Sequence, residues 1–96
     1  MVAGDFLVIT HGARRFTHMD AWRLAQRVQS EGPHVVILNL EHAAETTTAA
    51  LARLVKLRGE LLRGGRDLRL RGLHGRARSL YEVYRLSAAL PEESAS

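Results

Sequence analysis

The amino-acid sequence predicts an α/β fold: a single small domain with a mixed, largely parallel sheet of about four strands joined by crossover helices. Three observations carry this expectation. Short apolar, β-branched runs alternate with longer stretches of helical periodicity, the middle run "HVVILNL" is apolar almost throughout, and a later run, "DLRLRGL", alternates leucine with arginine. A chain of 96 residues with 46% apolar content closes one modest core. Residues 1–91 are assigned to the domain and residues 92–96, "EESAS", to a loose tail.

The first strand is "FLVIT", Phe6 to Thr10, which runs into a turn containing Gly12. Thr17 and Asp20 have the spacing of a capping box, in which hydroxyl and carboxylate reciprocally satisfy free amides, so a helix opens there. Ala21, Leu24, Ala25 and Val28 then recur at i, i+3, i+4 and i+7, with Trp22 flanking the stripe, and the helix is expected to end near Gly32 and Pro33. His34 to Leu40 is apolar on both faces and is placed at the centre of the sheet.

After "EHAAE" a long helix carries Leu51, Leu54, Val55, Leu61 and Leu62 on one side, with Arg53, Lys56, Arg58 and Glu60 largely opposite. Gly64 and Gly65 stop it. Gly59, inside this helix, costs about 1 kcal/mol relative to alanine, and marks either a close backbone approach or a tolerated weakness. In "DLRLRGL" the leucines Leu68 and Leu70 point inward and Arg69 and Arg71 outward. Ala77, Leu80, Tyr81 and Tyr84 form the buried stripe of a last helix, with Arg78 and Glu82 as an exposed pair.

Composition narrows the function classes. The chain contains no cysteine, which excludes disulfides, thiolate catalysis and cysteine-ligated zinc. No stretch approaches the roughly 20 apolar residues needed to cross a bilayer, and "MVAGDFLVIT" has neither a basic n-region nor a long apolar h-region, so a cytoplasmic location is expected. The net charge of +4 is concentrated between Arg53 and Arg85, where ten basic residues face only Glu60, Asp67 and Glu82. Such a surface attracts anions without specificity. Arg69, Arg71, Arg76 and Arg78 are its nucleic-acid candidates, but the interleaved exposed aromatics of single-strand binders are missing, so nucleic acid ranks below a protein partner. The histidines His11, His18, His34, His42 and His74 form no i, i+4 pair and no cluster with carboxylates, which argues against a metal site. No cofactor motif is present: "RGGRD" lacks the Lys-Ser/Thr ending of a phosphate loop. No nucleophile with its base can be assembled from spacing, and the chain reads as a non-enzyme.

The order of elements and the segment "VVILNLEHAAETTTAAL" resemble a STAS domain, the fold of bacterial anti-sigma factor antagonists. In that family a hydrophobic strand, often ending Asp-Leu, leads through a short loop to Asp-Ser-Ser-Gly-Leu or Asp-Thr-Gly-Gly-Leu at the start of a long helix. The resemblance covers nearly the whole chain. Counting without gaps from Leu40 puts Thr47 on the family's acidic position, Thr48 on its phosphorylated hydroxyl, Ala50 on its glycine and Leu51 on its leucine. A shifted register, with Glu45 as the acid and Thr46 as the acceptor, needs an insertion.

The resemblance implies a transcription-regulating module whose helix-start hydroxyl is phosphorylated by an anti-sigma factor that is also a serine kinase. Thr48 leads as phosphoacceptor, followed by Thr46 and Thr47, and the partner-binding surface comprises His42, Glu45, Thr46, Thr47, Thr48 and Ala50. A second implied reading is the small STAS subunit that binds the ATPase of a lipid-transport ABC system. The short chain and the ending "LYEVYRLSAALP" are similar to such subunits. A homodimer stays open under both. From the residues alone, the threonines are equally well read as caps that solvate the helix start, with Thr46 in the loop or capping.

Overall fold

The computed structural model describes residues 6–30, 32 and 34–93. The elements in order are β1 (Phe6–Thr10), β2 (Arg15–Phe16), α1 (His18–Ser30), β3 (Val35–Asn39), β4 (Glu45–Thr46), α2 (Thr48–Arg63), β5 (Asp67–Arg71) and α3 (Gly75–Val83). The main sheet has the order β1-β3-β5, so β3 is central as its apolar run requires, and both of its pairings are parallel. The parallel register aligns Val8, Ile37 and Arg69, with Ile9, Leu38 and Leu70 one step on. Helical crossovers through α1 and α2 satisfy the connection that parallel neighbours demand.

The sheet differs from the expected mixed arrangement of about four strands. All pairings among the described residues are parallel, and three strands make the main sheet. A fourth position is filled only by a parallel bridge between Leu70 and Glu92. There the Leu70 amide donates to the Pro91 carbonyl at 3.0 Å and the Glu93 amide to the Leu70 carbonyl at 2.6 Å. Glu92 and Glu93, read from sequence as tail, are therefore attached to the edge of β5, and residues 94–96 lie outside the described residues. Separately, β2 and β4 pair over two residues each.

Alternation along the strands divides the sheet into two unlike faces. Val36, Leu38, Leu40, Leu68 and Leu70 join one cluster with the buried residues of all three helices. The opposite face carries Phe6 and Val8, 51% and 38% exposed, beside Ile37 and Arg69. The stripe Ala21, Leu24, Ala25 and Val28 of α1 is buried, and Trp22 stays exposed beside it. The Thr17–Asp20 box forms as the spacing predicts: the Thr17 amide and hydroxyl both donate to the Asp20 carboxylate at 2.9 Å, and the Asp20 amide donates back to the Thr17 hydroxyl at 3.2 Å.

Two apolar residues depart from expectation. In α2 the buried residues are Ala50, Leu51, Leu54, Leu57 and Leu61, while Leu62 is 47% exposed, because the helix touches the core along a stripe too narrow to include it. Tyr84 is likewise exposed: it is the C-cap of α3, its amide still donating to the Leu80 carbonyl at 3.1 Å, at the point where the helix ends. Tyr81 remains buried, and its hydroxyl donates to the Leu90 carbonyl at 2.8 Å. The end of α2 is a Schellman turn: Gly65, at φ 76°, donates to the Leu62 carbonyl and the Arg66 amide to that of Leu61.

Charged groups tie the remaining edge together. Asp67 accepts from the Arg58 Nε at 2.7 Å, from the Leu68 amide at 2.8 Å and from the Arg69 Nε at 3.2 Å, and Arg69 reaches on to Glu93 at 3.2 Å. Burial alone would raise the Asp67 pKa, but these donors outweigh it and hold the carboxyl below its ordinary value. A group depressed in the folded state contributes stability above its unfolded pKa and loses it as pH falls through the folded one. Urea midpoints are therefore expected to fall as pH drops from about 5 toward 3, with a shallower fall in Asp67→Asn. Parallel profiles for the two proteins would remove Asp67 as a contributor.

A Cβ built on Gly59 meets nothing within 4 Å, which decides between the two readings of this residue in favour of a tolerated weakness. Gly59→Ala is expected to stabilise the domain by about 1 kcal/mol, read as a rise in melting temperature of roughly 4–8 °C.

Candidate functional site

The segment between β3 and α2 is positioned by hydrogen bonds at both ends. At its start the Glu41 amide donates to the Asn39 side chain at 3.2 Å and the Ala43 amide closes a turn on the Leu40 carbonyl at 3.0 Å. At its end β4 pairs with β2, and the Glu45 amide donates to the Arg14 carbonyl at 3.2 Å. Between these points the Ala44 carbonyl accepts from the Ala77 amide at 2.9 Å, which links the segment to the start of α3.

The three consecutive threonines occupy three different environments. Thr46 is neither loop nor cap: it lies in β4, is 6% exposed, and donates its hydroxyl to the Phe16 carbonyl at 2.7 Å. Thr47 is the N-cap of α2, with extended backbone and a side-chain oxygen that accepts from the Ala50 amide at 3.0 Å. Thr48 is the first helical residue and is exposed. The Leu51 amide is the first intrahelical donor, bonded to the Thr47 carbonyl, so the amides of Thr48 and Ala49 precede it and have no carbonyl of the helix to donate to.

The other residues expected at a partner surface are only partly brought together. His42 is exposed in the turn and lies 3.3 Å from the Glu41 carboxylate. Glu45 is half-buried in β4, opposite Arg15. Ala50 is fully buried, because its position on α2 turns it into the core, and it offers a partner no surface. Beside Thr48 the structure adds residues that the sequence does not assign to a partner surface: Leu51, Ala52, Tyr84 and Leu86 line a groove of about 130 Å³ with Thr48 at its edge. The spacing of Tyr84 predicts a core position, and the pattern alone carries no sign that α3 ends there. Among the described residues, no group of three or more histidines and carboxylates is placed to hold a metal ion.

Because Thr47 holds the cap and Thr48 does not, their truncations separate. Thr47→Ala is expected to cost about 1 kcal/mol in chemical denaturation. Thr48→Ala should stay within about 0.5 kcal/mol of the parent. Equal losses would contradict the division of roles.

No family model matches the chain, and no curated protein matches it. Its fold is similar to that in the crystal structure of a sulfate transporter family protein from Wolinella succinogenes, with a TM-score of 0.75 and 20% sequence identity, over 94% of this chain and 75% of that one. The likeness is one of architecture, and it agrees with the STAS-like arrangement of a parallel sheet with three helices.

Proposed function

We propose that this chain is a non-enzymatic regulatory module resembling an anti-sigma factor antagonist, which binds a protein partner through the start of α2 and is switched by phosphorylation of Thr48. The supporting observation is the inequality of the threonines: Thr46, buried, and Thr47, exposed, both engage their hydroxyls in hydrogen bonds of the fold, whereas Thr48 is exposed at the edge of an apolar groove. A phosphate at this position sits at the positive end of the helix dipole near free amides, so the folded domain tolerates it. To a partner it presents about −1.5 to −2 charges beside an apolar contact, which opposes docking.

By resemblance the partner is an anti-sigma factor kinase. A second reading, a subunit that binds the ATPase of a lipid-transport ABC system, is favoured by one feature: Thr47 stands where an acid adjoins the acceptor and Ala50 where the family has glycine, which suits a fixed contact better than a modified one. Both partners work in the cytoplasm, where we place the chain. Nucleic-acid binding ranks third. Arg69 is paired with Asp67 and Glu93, and Arg78 with Glu92 at 2.7 Å and Glu82 at 3.7 Å, so a phosphate backbone would compete with fixed carboxylates.

Capture from a native lysate followed by affinity measurement tests the proposal. The expected partner is a kinase, bound at least about tenfold more weakly by Thr48→Asp, a change of roughly 1.4 kcal/mol, and undiminished by Thr48→Ala. Recovery of a transporter ATPase with equal affinity for all three forms would overturn the switch and support the second reading.

A further inference from the structure

A second concave site lies away from the threonines, between the end of β1 and one face of α1. We propose that it binds a small organic anion, a carboxylate with an apolar body. The cavity has a volume of about 270 Å³ and an apolar floor of Ile9, Phe16, Leu24 and Leu38, with Arg23 and Arg27 on its rim. That volume falls just below the roughly 300–1,000 Å³ of pockets for drug-sized ligands, so the occupant is smaller than these. No residue of α2 and none of Thr46 to Thr48 lines it.

The charge of the ligand follows from the rim. Arg23 and Arg27 are spaced i, i+4 on α1 and stand on the same side of the helix. The only carboxylate among the lining residues is that of Asp20, whose Oδ2 accepts both the amide and the hydroxyl of Thr17 in the capping box. Its Oδ1 is 3.8 Å from Arg23, too far for a hydrogen bond, and the Arg23 side chain is 70% exposed. A carboxylate entering the cavity therefore meets a guanidinium whose fork is not taken up by Asp20, and planar guanidinium and carboxylate groups match in pairs.

The body of the ligand follows from the floor. His11 walls one side, its ring held by Nε2 at 2.7 Å from the Arg15 carbonyl and packed edge-on to Phe16 with centroids 5.0 Å apart. A hydrated inorganic anion gains nothing from this surface, whereas an apolar body attached to the carboxylate is removed from water by it. Charge at the rim and hydrocarbon below it together specify an amphipathic anion.

Amide chemical-shift titration of the full chain with benzoate, benzamide and inorganic phosphate is the test. Benzoate is expected to give saturable shifts at Thr10, His11, Gly12 and Leu24, and Arg23→Gln to weaken it about tenfold. A Cβ on Gly12 meets nothing within 4 Å, so Gly12→Leu is expected to fold and to obstruct the cavity, again lowering affinity. Benzamide binding as tightly as benzoate would overturn the charge requirement, and phosphate binding as tightly would overturn the apolar one. Absence of saturable shifts, or unchanged benzoate affinity in a folded Arg23→Gln protein, would overturn the site.

Discussion

The structure depends on β3 being paired on both edges and ending in a side chain that joins its neighbours. Asn39 donates through Nδ2 to the Thr10 hydroxyl at 3.3 Å and accepts through Oδ1 from the Glu41 amide at 3.2 Å. Its carbonyl takes the His11 amide, and the next amide, of Leu40, donates to the Arg71 carbonyl at 2.8 Å. The ends of all three strands are thus registered at one residue. Gly72 shows how close the packing is: at φ 76°, a Cβ there would stand 2.8 Å from both the Asn39 Oδ1 and the Glu41 nitrogen. The loop that delivers the chain to α2 therefore starts from a fixed point, which is why Thr48 has a defined position at all.

Much of this was legible in sequence wherever one residue pattern has one physical solution. The apolar run His34 to Leu40 can only be central, the Thr17–Asp20 spacing closes a capping box, and paired glycines after Arg63 end a helix. What was not legible has a common cause, which is that periodicity identifies a face without giving its width or its end. Leu61 and Leu62 are neighbours on the α2 stripe, and only the position of the sheet decides that one is buried and the other is not. Tyr84 continues the spacing of Ala77 and Tyr81, yet it is the C-cap at the end of α3 and is exposed. The pairing of β2 with β4 involves two residues on each side, too short for any alternation to register.

That short pairing matters more to the candidate site than its length suggests. It buries Thr46 and orders the residue before the cap, so Thr47 enters α2 from extended backbone with φ −125° and ψ 160°. Without this constraint the three hydroxyls would be free to exchange roles along a loop. With it, Thr46 is buried, Thr47 caps the helix, and Thr48 stands exposed as its first residue.

The basic half of the sequence acquires a different meaning for the same reason. Arg58, Arg69 and Arg78 belong in sequence to a cationic half, yet each is drawn to a carboxylate: Arg58 to Asp67, Arg69 to Glu93 and Arg78 to Glu92. These pairs close the outer edge of β5, where the Leu70–Glu92 bridge leaves most backbone groups without a further strand. Each exposed pair contributes little by itself, in the range of about 0–1 kcal/mol. Their joint effect is geometric, since they hold the Pro91–Glu93 segment along β5 and blunt that edge with charge. Arg58, Arg69 and Arg78 are accordingly structural first, whereas Arg23 of α1 borders a cavity and has no carboxylate within hydrogen-bonding distance among the described residues.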